Sequence, residues 1–111
     1  MVDVYFGNMS EYLQLLYLSR AKGYLVGIPN ADQGTIFRDI GALARGEASS
    51  VYTKQLRGPV RELISGHHRL IYFQIGPVLF LVSGFRKKSQ KTPRQEIEYA
   101  EAMYRRLSKP K

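Results

Sequence analysis

A chain of 111 residues, 44% of them hydrophobic, holds material for one compact core that buries roughly 65% of the unfolded surface, and little for a second. Cysteine is absent, which excludes a disulfide framework and a thiolate metal site and leaves His67 and His68 as the only imidazoles. The net charge of +8 is unevenly placed: residues 1–50 carry four cations against five carboxylates, and residues 51–111 carry thirteen against four. So basic a second half is the footprint of a protein that meets nucleic acid or an acidic protein segment. There is no run of about 18 apolar residues and no basic segment leading into an apolar one at the N-terminus, so the expected setting is the cytoplasm, with no membrane contact.

Val2 to Phe6 alternates weakly and predicts a short strand ended by Gly7-Asn8. A helix is predicted next. Asn8 and Glu11 have capping-box spacing, Leu13, Leu16 and Tyr17 share one helical face, and Gly23 is placed as a C-cap. Gly27-Ile28-Pro29-Asn30 reads as a turn. From Asp32 to Ala44 the residues Ile36, Ile40, Leu43 and Ala44 recur at helical spacing, and Gly46 stops the run. Together these elements predict a two-helix hairpin.

Beyond Glu47 the period shortens towards two. Ser50 to Leu56 runs to a break at Gly58-Pro59, and Val60 to Ile64 forms a second run. His68 to Ile75 and Val78 to Ser83 are rich in β-branched and aromatic residues and predict two central, buried strands. Between them Gly76-Pro77 suits a tight hairpin turn, glycine supplying the positive φ. A final helix is predicted from about Pro93 to Leu107, with Ile97, Ala100, Tyr104 and Leu107 on one face. Glu96 and Glu98 sit near its start, Arg105 and Arg106 near its end, and Glu101 and Arg105 form an i,i+4 pair. The three glutamates read as helix surface, Tyr99 and Met103 as packing or partly exposed surface, and Tyr72 as core.

The stretch from Ser83 to Arg94 carries the most chemistry. A hydrophobic strand ends in Arg86, Lys87, Lys88, Lys91 and Arg94, then feeds a helix start at which Thr92 can serve as N-cap, Pro93 as first helical residue and Gln95 as the closing member of a capping box. Backbone N–H groups and the positive end of the helix dipole would then lie beside the lysines, an arrangement suited to phosphate. A solvated loop whose cations only aid solubility is the competing reading.

The element order, with Lys54-Gln-Leu-Arg-Gly58, Arg61-Glu62-Leu63, His68-Arg69-Leu70-Ile71-Tyr72-Phe73 and Gly84-Phe-Arg-Lys-Lys-Ser-Gln-Lys-Thr-Pro93, resembles the RelE/ParE superfamily of type II toxin–antitoxin toxins, most closely its HigB-type, phage-related branch. The likeness covers residues 51–107, and the N-terminal half only by element order. It implies one RelE-like toxin domain over 1–111, of α+β class, with an N-terminal strand, a two-helix hairpin, an antiparallel sheet of three to four strands and a C-terminal helix.

The resemblance also implies a ribosome-dependent mRNA endoribonuclease in which the ribose 2′-OH attacks its own neighbouring phosphate, with no cofactor and no metal. The protein then supplies charge stabilisation and proton transfer. Arg69 matches the family's strand arginine and is expected at the scissile phosphate. Lys88 and Lys91 are expected to stabilise the developing charge, and Lys54, Arg57, Arg61, Arg86, Lys87 and Arg94 to hold the RNA. His68, or its neighbour His67, can move a proton near neutral pH. The implied partners are mRNA, the ribosome, and an acidic cognate antitoxin carrying a helix-turn-helix DNA-binding part.

The residues leave alternatives open. Arg69 can pair structurally with Glu62 or Glu98, and the histidines can be polar residues at a strand entry. Ile64 stands where family members often carry arginine. A ParE-like gyrase inhibitor and a non-catalytic basic module that binds nucleic acid or an acidic partner are the other two functional classes.

Overall fold

In the computed structural model of the protein, which describes residues 2–3 and 12–110, a six-stranded sheet separates two helical layers. The elements run β1 (Val2–Asp3), β2 (Gln14–Tyr17), α1 (Ser19–Val26), α2 (Asn30–Ala44), a 3-10 turn (Ala48–Ser50), β3 (Tyr52–Arg57), β4 (Val60–Ser65), β5 (His68–Ile75), β6 (Val78–Arg86) and α3 (Arg94–Ser108). Strand order is β1-β2-β6-β5-β4-β3. All neighbours are antiparallel except β2 and β6, which run parallel.

The α+β class, the helix pair, the antiparallel sheet with β5 and β6 at its centre, and the C-terminal helix agree with the expectation from sequence. The helix predicted across residues 8–23 does not. Gln14–Tyr17 is a strand with Leu15 and Tyr17 buried, and the helix begins only at Ser19, so Gly23 lies inside it and Gly27 is the C-cap. Leu13, Leu16 and Tyr17 do fall at helical spacing, but so short a span cannot separate a period of 3.6 from one of 2. Parallel pairing of Gln14 with Val78 through Tyr17 with Leu81 decides the matter. The proposed Asn8–Glu11 capping box lies outside the described residues.

Two cores lie on opposite faces of the sheet. On one, Leu15, Tyr17, Leu63, Leu70, Tyr72, Leu79 and Leu81 meet Ala21 and Leu25 of α1 and Ile36, Ile40 and Ala44 of α2. On the other, Val60, Ile71, Phe73, Phe80 and Val82 receive Ala100 of α3, with Tyr99, Met103 and Tyr104 packed around them. Tyr72 is core, as expected, and its hydroxyl accepts a hydrogen bond from Arg61 Nε at 3.3 Å.

Strand periodicity sets which face each side chain serves, and one irregularity resets it. Ile71 pairs with Ser83 but Tyr72 with Leu81, so Val82 is an extra residue in β6. Val82 enters the α3-side core while the next residue, Ser83, hydrogen-bonds to Glu96 of the same helix at 2.9 Å, so two successive side chains turn towards α3. Beyond the bulge Gly84 pairs with Leu70, Phe85 with Arg69 and Arg86 with His68.

Gly76, at φ 57, makes the β5–β6 turn as its sequence predicts. Gly84 is required for a different reason. A Cβ there would stand 2.5 and 2.9 Å from Tyr24 ring atoms and 3.1 Å from Leu70 Cδ1. Gly84→Ala is therefore expected to destabilise by about 1–3 kcal/mol, a fall in Tm of roughly 5–15 °C on thermal unfolding. An unchanged Tm would show that the Tyr24 ring is free to move aside.

Candidate functional site

The basic segment leaves the end of β6 and is held in place by backbone before any side chain acts. The Lys87 N–H donates to the His67 carbonyl at 2.7 Å, tying the loop to the β4–β5 turn, and Ser89 Oγ donates to the Lys91 carbonyl at 3.1 Å. At the far end the expected capping box is absent. Pro93 is the N-cap and makes no side-chain bond, because Thr92 Oγ1 donates instead to Glu62 Oε2 at 2.8 Å. Glu62 is 3% exposed, so the threonine satisfies a buried carboxylate and anchors the loop to β4.

Two concavities flank this loop. The larger is a cleft of about 400 Å³ between Tyr24 of α1, Gly84 and Arg86 of β6, Lys88 and Lys91 of the loop, and Glu96 of α3. The smaller is a shallow groove of about 10 Å³ that brings Arg69, Lys87 and Lys91 beside Glu62 and Thr92. Lys91 and Phe85 line both. Arg86, Lys87, Lys88, Lys91 and Arg94 are all exposed. Four of the five loop cations therefore converge on adjoining hollows at one end of the sheet.

Arg69 lies half-buried on the α3 face, where its Nη1 donates to the carbonyls of Gly66 at 2.7 Å and His68 at 3.0 Å. Neither Glu62 nor Glu98 forms an ion pair with it among the described residues. The two carbonyl bonds fix one side of the guanidinium and leave Nε and Nη2 for an anion.

His68, adjacent in a strand, necessarily faces the other way. Its ring is buried under the helix pair, with Nδ1 2.5 Å from Tyr24 Oη and Nε2 2.9 Å from Asp32 Oδ2. His67 is exposed and lines a third hollow of about 170 Å³ with Asp32, Thr35, Ser65, Gly66 and Arg86. Arg86 thus borders both this hollow and the main cleft.

The remaining sequence candidates lie apart. Arg57 is ion-paired to Glu101 at 2.9 Å, which ties β3 to α3 in place of the predicted Glu101–Arg105 pair. Arg61 is half-buried on the α1/α2 face, donating to Tyr72 Oη and to Thr53 Oγ1. Lys54 is exposed on the edge strand β3. Glu96, read from sequence as plain helix surface, lines the cleft and accepts from Ser83. Tyr24 and Asp32 carried no signal at all in the sequence, because their relevance depends on where α1 and the start of α2 are placed over β5.

The family model for phage-derived proteins that are Gp49-like matches residues 23–105, three quarters of the chain and nearly every residue named above. The chain belongs to the Gp49-like family. Its fold is RelE-like. The toxin–antitoxin complex RelBE2 from Mycobacterium tuberculosis matches at a TM-score of 0.57 and 17% identity, covering 69% of this chain and 99% of that one. The archaeal RelE–RelB complex from Pyrococcus horikoshii matches at 0.57 and 17%, covering 73% and 99%. At such identity the likeness is one of fold. No curated protein sequence matches the chain. In this Gp49-like protein no helix among the described residues is long and apolar enough to cross a membrane, and no group of three or more His, Asp or Glu side chains among them is placed to hold a metal ion.

Proposed function

We propose that the protein is the toxin of a type II toxin–antitoxin system and acts as an endoribonuclease on mRNA at the ribosome. The observation that carries this reading is the convergence of Arg69, Arg86, Lys87, Lys88 and Lys91 on two adjoining hollows at one end of the sheet. Attack by a ribose 2′-OH on the adjacent phosphate needs an anion-stabilising surface and proton transfer, and this surface offers both guanidinium and ammonium donors. Arg69 contacts the scissile or an adjoining phosphate through the donors its carbonyl partners leave over. Lys88 and Lys91 stabilise the charge that builds on phosphorus-bound oxygens, and Arg86, Lys87, Arg94 and the more distant Lys54 track the RNA backbone. Arg57 and Arg61, already engaged with Glu101 and with Tyr72 and Thr53, play a smaller part.

One of the solved complexes named above pairs a toxin with an antitoxin and the other RelE with RelB, and in our reading the basic end is the surface that an acidic antitoxin segment covers. The acting form is then free of that segment, in the cytoplasm with the ribosomes. Mapping mRNA 5′ ends in a translation reaction, with and without the protein, tests the reading; cuts in frame within codons are expected. Arg69→Ala should abolish growth arrest on induction and reduce cleavage on the order of 100-fold, with the thermal transition kept. Intact mRNA together with blocked DNA supercoiling would point to a gyrase inhibitor instead. Salt-sensitive RNA binding without toxicity would point to a non-catalytic module.

A further inference from the structure

Tyr24, His68 and Asp32 form a connected array that the assignments above leave unused. An ionised Asp32 carboxylate can only accept, so the hydrogen of the neutral ring is assigned to His68 Nε2, which donates to Asp32 Oδ2 at 2.9 Å. Nδ1 is then an acceptor, and the Tyr24 hydroxyl, 2.5 Å away, donates to it. Tyr24 lines the 400 Å³ cleft together with Arg86, Lys88 and Lys91. The array is thus a hydroxyl, a base and an orienting carboxylate in hydrogen-bonded series, the relation that activates hydroxyl groups in nucleophilic catalysis, with tyrosine at the cleft end.

Three features distinguish it from incidental packing. Both ring nitrogens of a buried histidine are engaged, so its orientation is fixed. Burial pushes the Tyr24 hydroxyl above its usual range, with Arg86 drawing it down and Asp32 adding to the rise. A protonated phenol can take a proton only by passing its own to a neighbour, and His68 is that neighbour. Finally, the Tyr24 ring sits against Gly84, where any Cβ would displace it from the cleft wall.

We propose that Tyr24 is a catalytic residue of the cleft, relaying the ribose 2′-OH proton to His68, while His68 and Asp32 are positioning residues behind it. The inference rests on the ribonuclease reading. The 2′-OH proton passes to Tyr24 Oη as the tyrosine's own proton passes to His68 Nδ1, and Asp32 stabilises the resulting imidazolium. The 2′-oxygen bonds to phosphorus, and the bond from phosphorus to the 5′-oxygen breaks. The departing oxygen takes a proton from the Lys91 ammonium, leaving a 2′,3′-cyclic phosphate and a 5′-hydroxyl. Solvent returns the protons to their starting places.

Single-turnover cleavage of mRNA on programmed ribosomes tests the relay. Tyr24→Phe keeps the ring against Gly84 and removes only the hydroxyl, so kcat should fall on the order of 100-fold or more while KM moves less than about twofold. His68→Gln should cost a similar factor, and Tyr24→Phe combined with His68→Gln no more than either alone, because the two act as one unit. Multiplying losses would overturn the relay. Wild-type cleavage with an equally fast Tyr24→Phe protein would overturn the inference and leave the ribonuclease reading standing, whereas a wild-type protein that cuts nothing removes both. Should Tyr24→Phe lower Tm, cleavage is compared at a temperature where circular dichroism shows it folded: a persisting kcat defect supports the relay, and a restored rate overturns it.

Discussion

Phe73→Ala is expected to lower the protein's thermal stability severely. Phe73 has no exposed surface, and its ring meets Phe80 at 5.4 Å between centroids and Tyr104 of α3 edge-on at 5.1 Å. Truncating such a side chain costs about 3–5 kcal/mol, against a total stability of about 5–15 kcal/mol for a domain of this size. The effect has a particular location. Of α3 only Ala100 is fully buried, so the helix depends on a few contacts of Tyr99, Met103 and Tyr104 with the sheet. Removing the Phe73 ring withdraws the partner of Tyr104, and α3 should lose amide-exchange protection before the β5–β6 hairpin does. A fall in Tm above roughly 12 °C is expected, with a smaller one for Phe73→Leu. A change under about 1 kcal/mol would mean that α3 is anchored elsewhere.

The second large effect is electrostatic. Lys87, Lys88 and Lys91 are exposed and form no ion pair among the described residues, so replacing all three with glutamine should leave Tm within about 2 °C of wild type. Binding to a single-stranded oligoribonucleotide should nevertheless weaken on the order of 100-fold at low salt. The slope of log affinity against log salt should shrink by roughly 2, since each phosphate neutralised on a single strand contributes about 0.7. Fluorescence anisotropy across a salt series measures both quantities. An unchanged slope would place the RNA on another surface, with Lys54 and the β3 edge the next to test.

Most of the scaffold can be read from residues that obey one period for long enough. The strands at 68–75 and 78–83 and the helix beginning near Pro93 are long, strongly patterned and bounded by glycine or proline. The errors fall where two signals share the same few residues. Leu13, Leu16 and Tyr17 satisfy a helical spacing, yet a partner strand far along the chain turns Gln14–Tyr17 into an extended segment. Thr92, Pro93 and Gln95 satisfy a capping rule, yet the threonine answers a stronger need, the buried carboxylate of Glu62. Glu96 has the charge pattern of a surface helix, but Ser83 and the cleft claim it. Of the candidate site, the basic loop is legible because charge clustering is a local property, whereas Arg69 stands out only through the resemblance to the family's strand arginine. Opposite orientations for His68 and Arg69 follow from strand alternation alone. The Tyr24–His68–Asp32 series is not legible, because it joins three elements that no sequence spacing relates.

The extra residue at Val82 bears on how this chain is to be compared with others. Ahead of it, positions in β6 pair with β5 in one phase; after it, Gly84, Phe85 and Arg86 pair in the other. A relative whose β6 lacks that residue would carry the counterparts of Gly84 and Arg86 one position earlier, and an ungapped alignment through the strand would set a cleft residue of one protein against an α3-facing residue of the other. Site residues in this fold are therefore best matched by strand partner, Gly84 by what faces Leu70 and Arg86 by what faces His68, with a gap opened at the bulge.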